Sequence, residues 1–139
     1  MYLVVSPHDL SYAVFGLLKT KEEGEERVKL VEVKTRPETI LASLLTFLRE
    51  QMVEPKALEG IVVVTGPGSF TSLRAGLSVV NTFAFVYGLP LISLPNSEGL
   101  DLETLISKTN FSSSQEFVKP FYGREPNVTM SKKKQAVDE

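Results

Sequence analysis

Residues 62–77 read VVVTGPGSFTSLRAGL, a β-branched run that passes through two closely spaced glycines into a long apolar stretch. Residues 60–65, GIVVVT, suit a strand buried on both faces in a parallel part of a sheet, and we take them as the central strand. Gly66 and Gly68 permit a tight turn, and Ser69 or Thr71 can cap the helix that follows. Such a strand, turn and helix start presents backbone N–H groups at a positive dipole end. That makes Gly66, Gly68, Ser69 and Thr71 candidates for an anion-binding turn. Two familiar phosphate signatures fail. No lysine follows Gly68 at Walker spacing, and Thr71 stands where a GxGxxG motif needs its third glycine. The competing reading is that the glycines only bring helix and strand close together, and these residues leave both readings open.

Working outward, residues 70–87 form a helix that is apolar on every side, with Arg74 its only charge and the small residues Ala75, Gly76 and Ser78 near its start. One face can pack on a sheet; the other needs a second cover, which points to an intermolecular interface. Gly88 stops this helix. Upstream, residues 38–52 carry Ile40, Leu41, Leu44, Leu45, Phe47, Leu48 and Met52 at three- and four-residue steps, a wide stripe that predicts a helix ended by Pro55. Residues 2–6 and 11–18 are strands separated by the turn chemistry of Pro7, His8 and Asp9, hence an antiparallel hairpin. Residues 21–27 read as an exposed turn and 28–34 as a third strand. After the central pair come a fifth strand at 89–94, a short helix at 100–108, a loop at 110–115, a strand or extended arm at 117–122, and a charged tail at 130–139 expected to be mobile. The order of elements is that of an α/β domain without internal repeats.

Composition limits what such a domain does. A chain of 139 residues with 42% hydrophobic residues fits one domain with a sizeable core. Fifteen basic and seventeen acidic side chains give a net charge of −2, so no global basic footprint for nucleic acid exists. With no cysteine and one histidine, the chain offers no disulfide framework, no thiolate zinc site and no histidine cluster. His8, between Pro7 and Asp9, reads as a turn residue. No window approaches the about 20 apolar residues of a membrane span, and MYLVVSPHDL lacks a basic leader region, so the expected location is cytoplasmic. Around the glycine turn, Ser69, Thr71 and Arg74 have no histidine or carboxylate nearby in sequence, which argues against catalysis there.

The string TGPGSFT at residues 65–71, followed by Leu73, Arg74 and Gly76, resembles the GPGSFTGLR signature of TsaB (YeaZ) proteins. A striped helix before it, a long apolar helix after it and a proline-led strand at 90–94 extend the resemblance. A second, weaker match is KPFYGREPNVT at residues 119–129, similar to the closing segment of that family. Together these regions cover most of residues 1–129. The resemblance implies an actin-like ATPase (RNase H-like) fold: a five-stranded mixed sheet with helices packed on it, strands one to three antiparallel, strands one, four and five parallel. It divides the chain into an N-terminal domain at 1–95, a remnant of a second domain with the closing segment at 96–129, and the tail at 130–139.

The resemblance further implies a non-catalytic scaffold subunit that binds TsaD, with TsaE joining, for threonylcarbamoyl transfer to adenosine in tRNA. It implies a homodimer in isolation, contact with tRNA only through partners, no membrane, no metal and no cofactor held by this chain alone, ATP entering at the level of the complex. The expected partner contacts are Leu44, Leu48, Leu73, Arg74, Gly76, Leu77 and Val80, with Arg74 pairing a carboxylate of the partner. The alternative is that these side chains face the sheet, since periodicity does not assign faces. Two rival functions stand beside the scaffold: a degenerate homodimeric module that does not bind TsaD, and a small nucleotide-binding phosphotransferase using the 66–71 turn. The chain departs from the family pattern in three places. Ser6-Pro7-His8 replaces an Asp-Thr-Ser-like turn, Ser72 replaces a glycine and is expected to alter the approach of a partner helix, and the second domain is short.

Overall fold

In the computed structural model, which describes residues 1–19, 27–108, 114–115 and 117–120, the β-branched runs at the two ends of the hairpin and the glycine motif lie side by side. β1 (Tyr2–Ser6), β2 (Tyr12–Lys19) and β3 (Arg27–Lys34) are followed by α1 (Ile40–Glu50), β4 (Gly60–Val63), α2 (Phe70–Tyr87), β5 (Leu91–Ser93) and α3 (Leu102–Ser107). The sheet order is β3-β2-β1-β4-β5. β1 is antiparallel to β2, and β2 to β3. β1 is parallel to β4, with Val4 opposite Val62, and β4 is parallel to β5. This is the mixed five-stranded α/β sheet that the sequence leads one to expect.

The period of two along each strand sorts side chains onto two cores. Leu3, Val5, Ile61 and Val63 point to one face, where they meet Leu44, Phe47 and Leu48 of α1 and Leu77, Val80 and Phe83 of α2. Val4, Val62, Val64, Ile92 and Leu94 point to the other, covered by Leu105 and Ile106 of α3. Because β1 and β4 are buried on both faces, they read as unbroken apolar runs. β3, at the edge, alternates instead: Val31 and Val33 turn toward the α1/α2 side, Val28 and Leu30 toward the α3 side. Complete burial of one such side chain stabilises the fold by about 1.5–3 kcal/mol.

Several boundaries differ from expectation for identifiable reasons. α1 stops at Glu50, ahead of Pro55, because Met52 adopts a left-handed φ of 59°. The N–H of Val53 then donates to the Leu48 carbonyl at 2.9 Å and that of Met52 to Arg49 at 3.0 Å, a closure usually built on glycine. β5 is limited to three residues flanked by Pro90 and Pro95. Residues 117–120 are not a strand but an extended arm. The main chain of Gln115 forms a single antiparallel bridge with Leu91, and Val118 enters the α1/α2-side core. Of the turn expected at 21–27, Arg27 opens β3 and residues 21–26 lie outside the described residues, as do 110–113 of the loop expected at 110–115, the end of the arm and the tail. Among the described residues no helix is long and apolar enough to cross a membrane.

Candidate functional site

The amino end of α2 is shaped by the β1–β2 turn, which lies against it. Gly68 faces the main chain of His8 so closely that a Cβ would sit 2.6 Å from His8 Cβ and 2.7 Å from its carbonyl oxygen. Two turns of chain further on, a Cβ at Gly76 would overlap the Pro7 ring. Only residues without a Cβ permit both approaches. Polar bonds then fasten the contact. The Ser69 N–H donates to the His8 carbonyl at 2.8 Å, and the Ser72 hydroxyl donates to the Asp9 carbonyl at 2.7 Å. Ser69 is the helix cap, its hydroxyl oxygen accepting from the Ser72 N–H at 3.4 Å. On the other side of the turn the Asn96 N–H donates to the Gly66 carbonyl at 2.8 Å.

These contacts bear on the two readings of the glycine turn. The N–H groups of Ser69 and Ser72 already have acceptors within the chain, and Gly68 faces a backbone rather than open space. The arrangement favours close packing of helix on hairpin over an anion cradle; Thr71 sits on the exposed rim. Ser72 is 2% exposed, so the hydroxyl that replaces the family glycine is directed inward to Asp9 and is not offered to a partner helix.

His8 is a turn residue with both ring nitrogens engaged. Nδ1 lies 2.9 Å from the Ser6 hydroxyl and Nε2 3.5 Å from that of Tyr12, whose ring meets the imidazole edge-on. The Asp9 carboxylate accepts from the Ser11 N–H and hydroxyl at 2.9 and 2.8 Å, bonds that hold it below the usual carboxylate range. Among the described residues no three His, Cys, Asp or Glu side chains gather as a metal site.

The expected partner contacts divide sharply. Leu44, Leu48, Leu73, Leu77 and Val80 are at most 2% exposed and fill the chain's own core, while Gly76 is covered by Pro7. As surface contacts they are therefore corrected: they are the inner faces of α1 and α2. Arg74 is exposed, with its guanidinium 5.2 Å from the centre of the Phe70 ring. The outward apolar surface is carried by residues outside the expected contact set. Leu41 (47% exposed) and Leu45 (38%) of α1 face Val79, Thr82, Val86 and Tyr87 of α2 across a groove of about 330 Å³. Phe85, also on α2, is 86% exposed. The signal was present as Leu41 and Leu45 flanking Leu44 in a stripe wider than one face requires.

Residues 34–132 match the family model described as "TsaD: tRNA N6-adenosine threonylcarbamoyltransferase". The tRNA N6-adenosine threonylcarbamoyltransferase of Persephonella marina is 32% identical over 89 residues, covering 64% of this chain and 26% of that protein. That of Syntrophus aciditrophicus is 39% identical over 62 residues, covering 45% of this chain and 18% of that protein. The chain thus spans about a quarter or less of these curated relatives. Among solved structures, YeaZ from Pseudomonas aeruginosa superposes with a TM-score of 0.54 at 23% identity, over 68% of this chain and 44% of that one, a likeness of fold. The chain belongs to the TsaD family, and its fold is like that of YeaZ.

Proposed function

We propose that this chain is a non-catalytic scaffold subunit that binds a TsaD subunit in the modification of tRNA to threonylcarbamoyladenosine. The observation that supports this reading is the exposed apolar groove between α1 and α2. Surfaces of this kind, rimmed by polar residues, mark protein interfaces. The groove suits an apolar helix of the partner laid along it, with Leu41, Leu45 and Val86 excluding water from the contact. Arg74, with its guanidinium 5.2 Å from the centre of the Phe70 ring, is in this reading the residue that meets a partner carboxylate. In this reading the chain contributes position rather than chemistry. TsaE joins the assembly, tRNA is reached through TsaD, ATP belongs to the complex, and the work is cytoplasmic.

The test is light scattering of the purified chain alone and mixed with TsaD from the same organism. A one-to-one complex that dissolves any homodimer is expected. Absence of a complex, with and without ATP, would replace the scaffold by a homodimeric module that uses the same groove. Stoichiometric ATP binding by the isolated chain would instead favour a phosphotransferase.

A further inference from the structure

β3 is the edge strand of the sheet beyond β2, and its main chain pairs on one side only. The N–H of Thr35 donates to the Ser11 carbonyl at 3.2 Å, one step beyond the opposed pair Tyr12 and Lys34. In an antiparallel ladder such hydrogen-bonded pairs recur at every second residue, so Lys29, Val31 and Val33 also turn their N–H and C=O groups to β2. The Lys29 carbonyl agrees: a Cβ on Gly16 of β2 would lie 2.6 Å from its oxygen. The alternate residues Val28, Leu30, Glu32 and Lys34 therefore direct their main-chain groups away from the sheet. Those groups meet no donor or acceptor among the described residues.

Beside this open edge lies a hollow of about 290 Å³ between β3 and α1, lined by Val33, Ala42, Thr46, Phe47 and Glu50 among others. Glu50 is exposed and has no ion pair among the described residues. Lys29, also exposed, donates from Nζ to the neutral Oε1 of Gln51 at 2.9 Å.

An unpaired strand edge is a template for another strand, and the edge itself selects which one. The outward set, Val28, Leu30, Glu32 and Lys34, is symmetric about Val31. A second β3 laid antiparallel to the first pairs Val28 with Lys34 and Leu30 with Glu32 in both directions, and every outward group of one copy meets its complement on the other. On the α1 side this register sets Val31 against Val31 and Lys29 against Val33. Opposed side chains stand about 4.5–5.5 Å apart at Cβ. Lys29 of one copy thus reaches the hollow of the other, its aliphatic stem over Val33 and its ammonium toward Glu50, exchanging a neutral amide for a carboxylate.

We propose that the β3 edge is a docking surface for a second copy of this chain, the two sheets joining antiparallel about Val31 with Lys29 and Glu50 as reciprocal ion pairs. This surface is separate from the α1/α2 groove and does not rest on the function proposed above. The contact is small, so half-association is expected at about 0.1 mM, and the chain is unpaired at the roughly 10 μM used to size complexes with TsaD.

The test is sedimentation equilibrium of the full chain over a concentration series, with the Leu45→Glu/Val86→Glu variant alongside to remove association through the groove. The mass of both is expected to rise from 15.4 kDa toward twice that value. Glu32→Pro deletes an outward N–H and no bond to β2, so it should keep the unfolding midpoint and stay monomeric throughout. Lys29→Glu and Glu50→Lys should each weaken association about tenfold, and the two together should restore it. A chain that is monomeric at every concentration would overturn the proposal. So would association that survives Glu32→Pro, that Leu45→Glu/Val86→Glu abolishes, or that the double exchange leaves as weak as either single one. If Glu32→Pro does not fold, the charge exchange decides.

Discussion

At its amino end α2 gives its polar groups to the chain itself: Ser69 and Ser72 donate to the carbonyls of His8 and Asp9, and Pro7 fills the hollow over Gly76. At its carboxyl end the same helix leaves Phe85 and Val86 86% and 63% exposed. The TGPGSFT motif lies at the first end, yet the most exposed apolar side chains of α2 lie toward the second. The glycine motif seats α2 on the hairpin, and that seating orients the rest of the helix.

The comparison is broken most severely from the inner face. Leu77→Ala removes a side chain that is 2% exposed in the α1/α2 core and should cost about 2–5 kcal/mol in urea unfolding. Val86→Ala, on the same helix at the open end, should cost less than about 0.5 kcal/mol. Equal losses would mean that the outer face is also covered. Next is the hairpin contact: Gly76→Ala sets a methyl against Pro7 and should destabilise the chain by about 1–3 kcal/mol. If it stabilises the helix instead, as glycine-to-alanine does on an open surface, the seating described here is wrong.

The reverse sign is expected where α1 ends. Met52 holds a left-handed φ of 59° with its side chain 90% exposed, so nothing in the chain's own packing compensates the backbone. Met52→Gly should raise stability by up to about 1 kcal/mol in the same denaturation experiment.

How far the sequence led follows from which forces are local. β1 and α2 begin and end where residue patterns place them, because β-branched runs, the Ser69 cap and Gly88 act on their own neighbourhood. The faces of the helices were not legible in the same way. α2 is apolar all round, so a period of 3.6 selects no side, and the true assignment depends on sheet residues far along the chain. Ser72 illustrates the limit: its partner, the carbonyl of Asp9, is 63 positions away, and no spacing rule pairs them. The bond from Asn81 to the Val118 carbonyl escaped for the same reason.

The smallest effect concerns acid. Asp9, bonded by the N–H and hydroxyl of Ser11, and Asp101, bonded by the hydroxyl and N–H of Thr104 at the start of α3, are both held below the usual aspartate range. A depressed folded value means that their contribution is complete above the ordinary aspartate range of the unfolded chain. It is lost as pH falls through their lower folded values. Asp9→Asn with Asp101→Asn should flatten the acid limb of a thermal-stability profile slightly and leave neutral pH almost unchanged. Both groups are exposed, so a steep change would place them in a larger network than the geometry contains.

The central claim is that the outer α1/α2 groove is the partner surface, and one measurement addresses it directly. The chain and its Leu45→Glu/Val86→Glu variant are each mixed with TsaD from the same organism and sized by light scattering. The substitutions fall on exposed positions, so both chains should fold with similar unfolding midpoints. The account predicts a one-to-one complex for the unaltered chain and separate species for the variant. A variant that still forms the complex, or an unaltered chain that forms none, would contradict it.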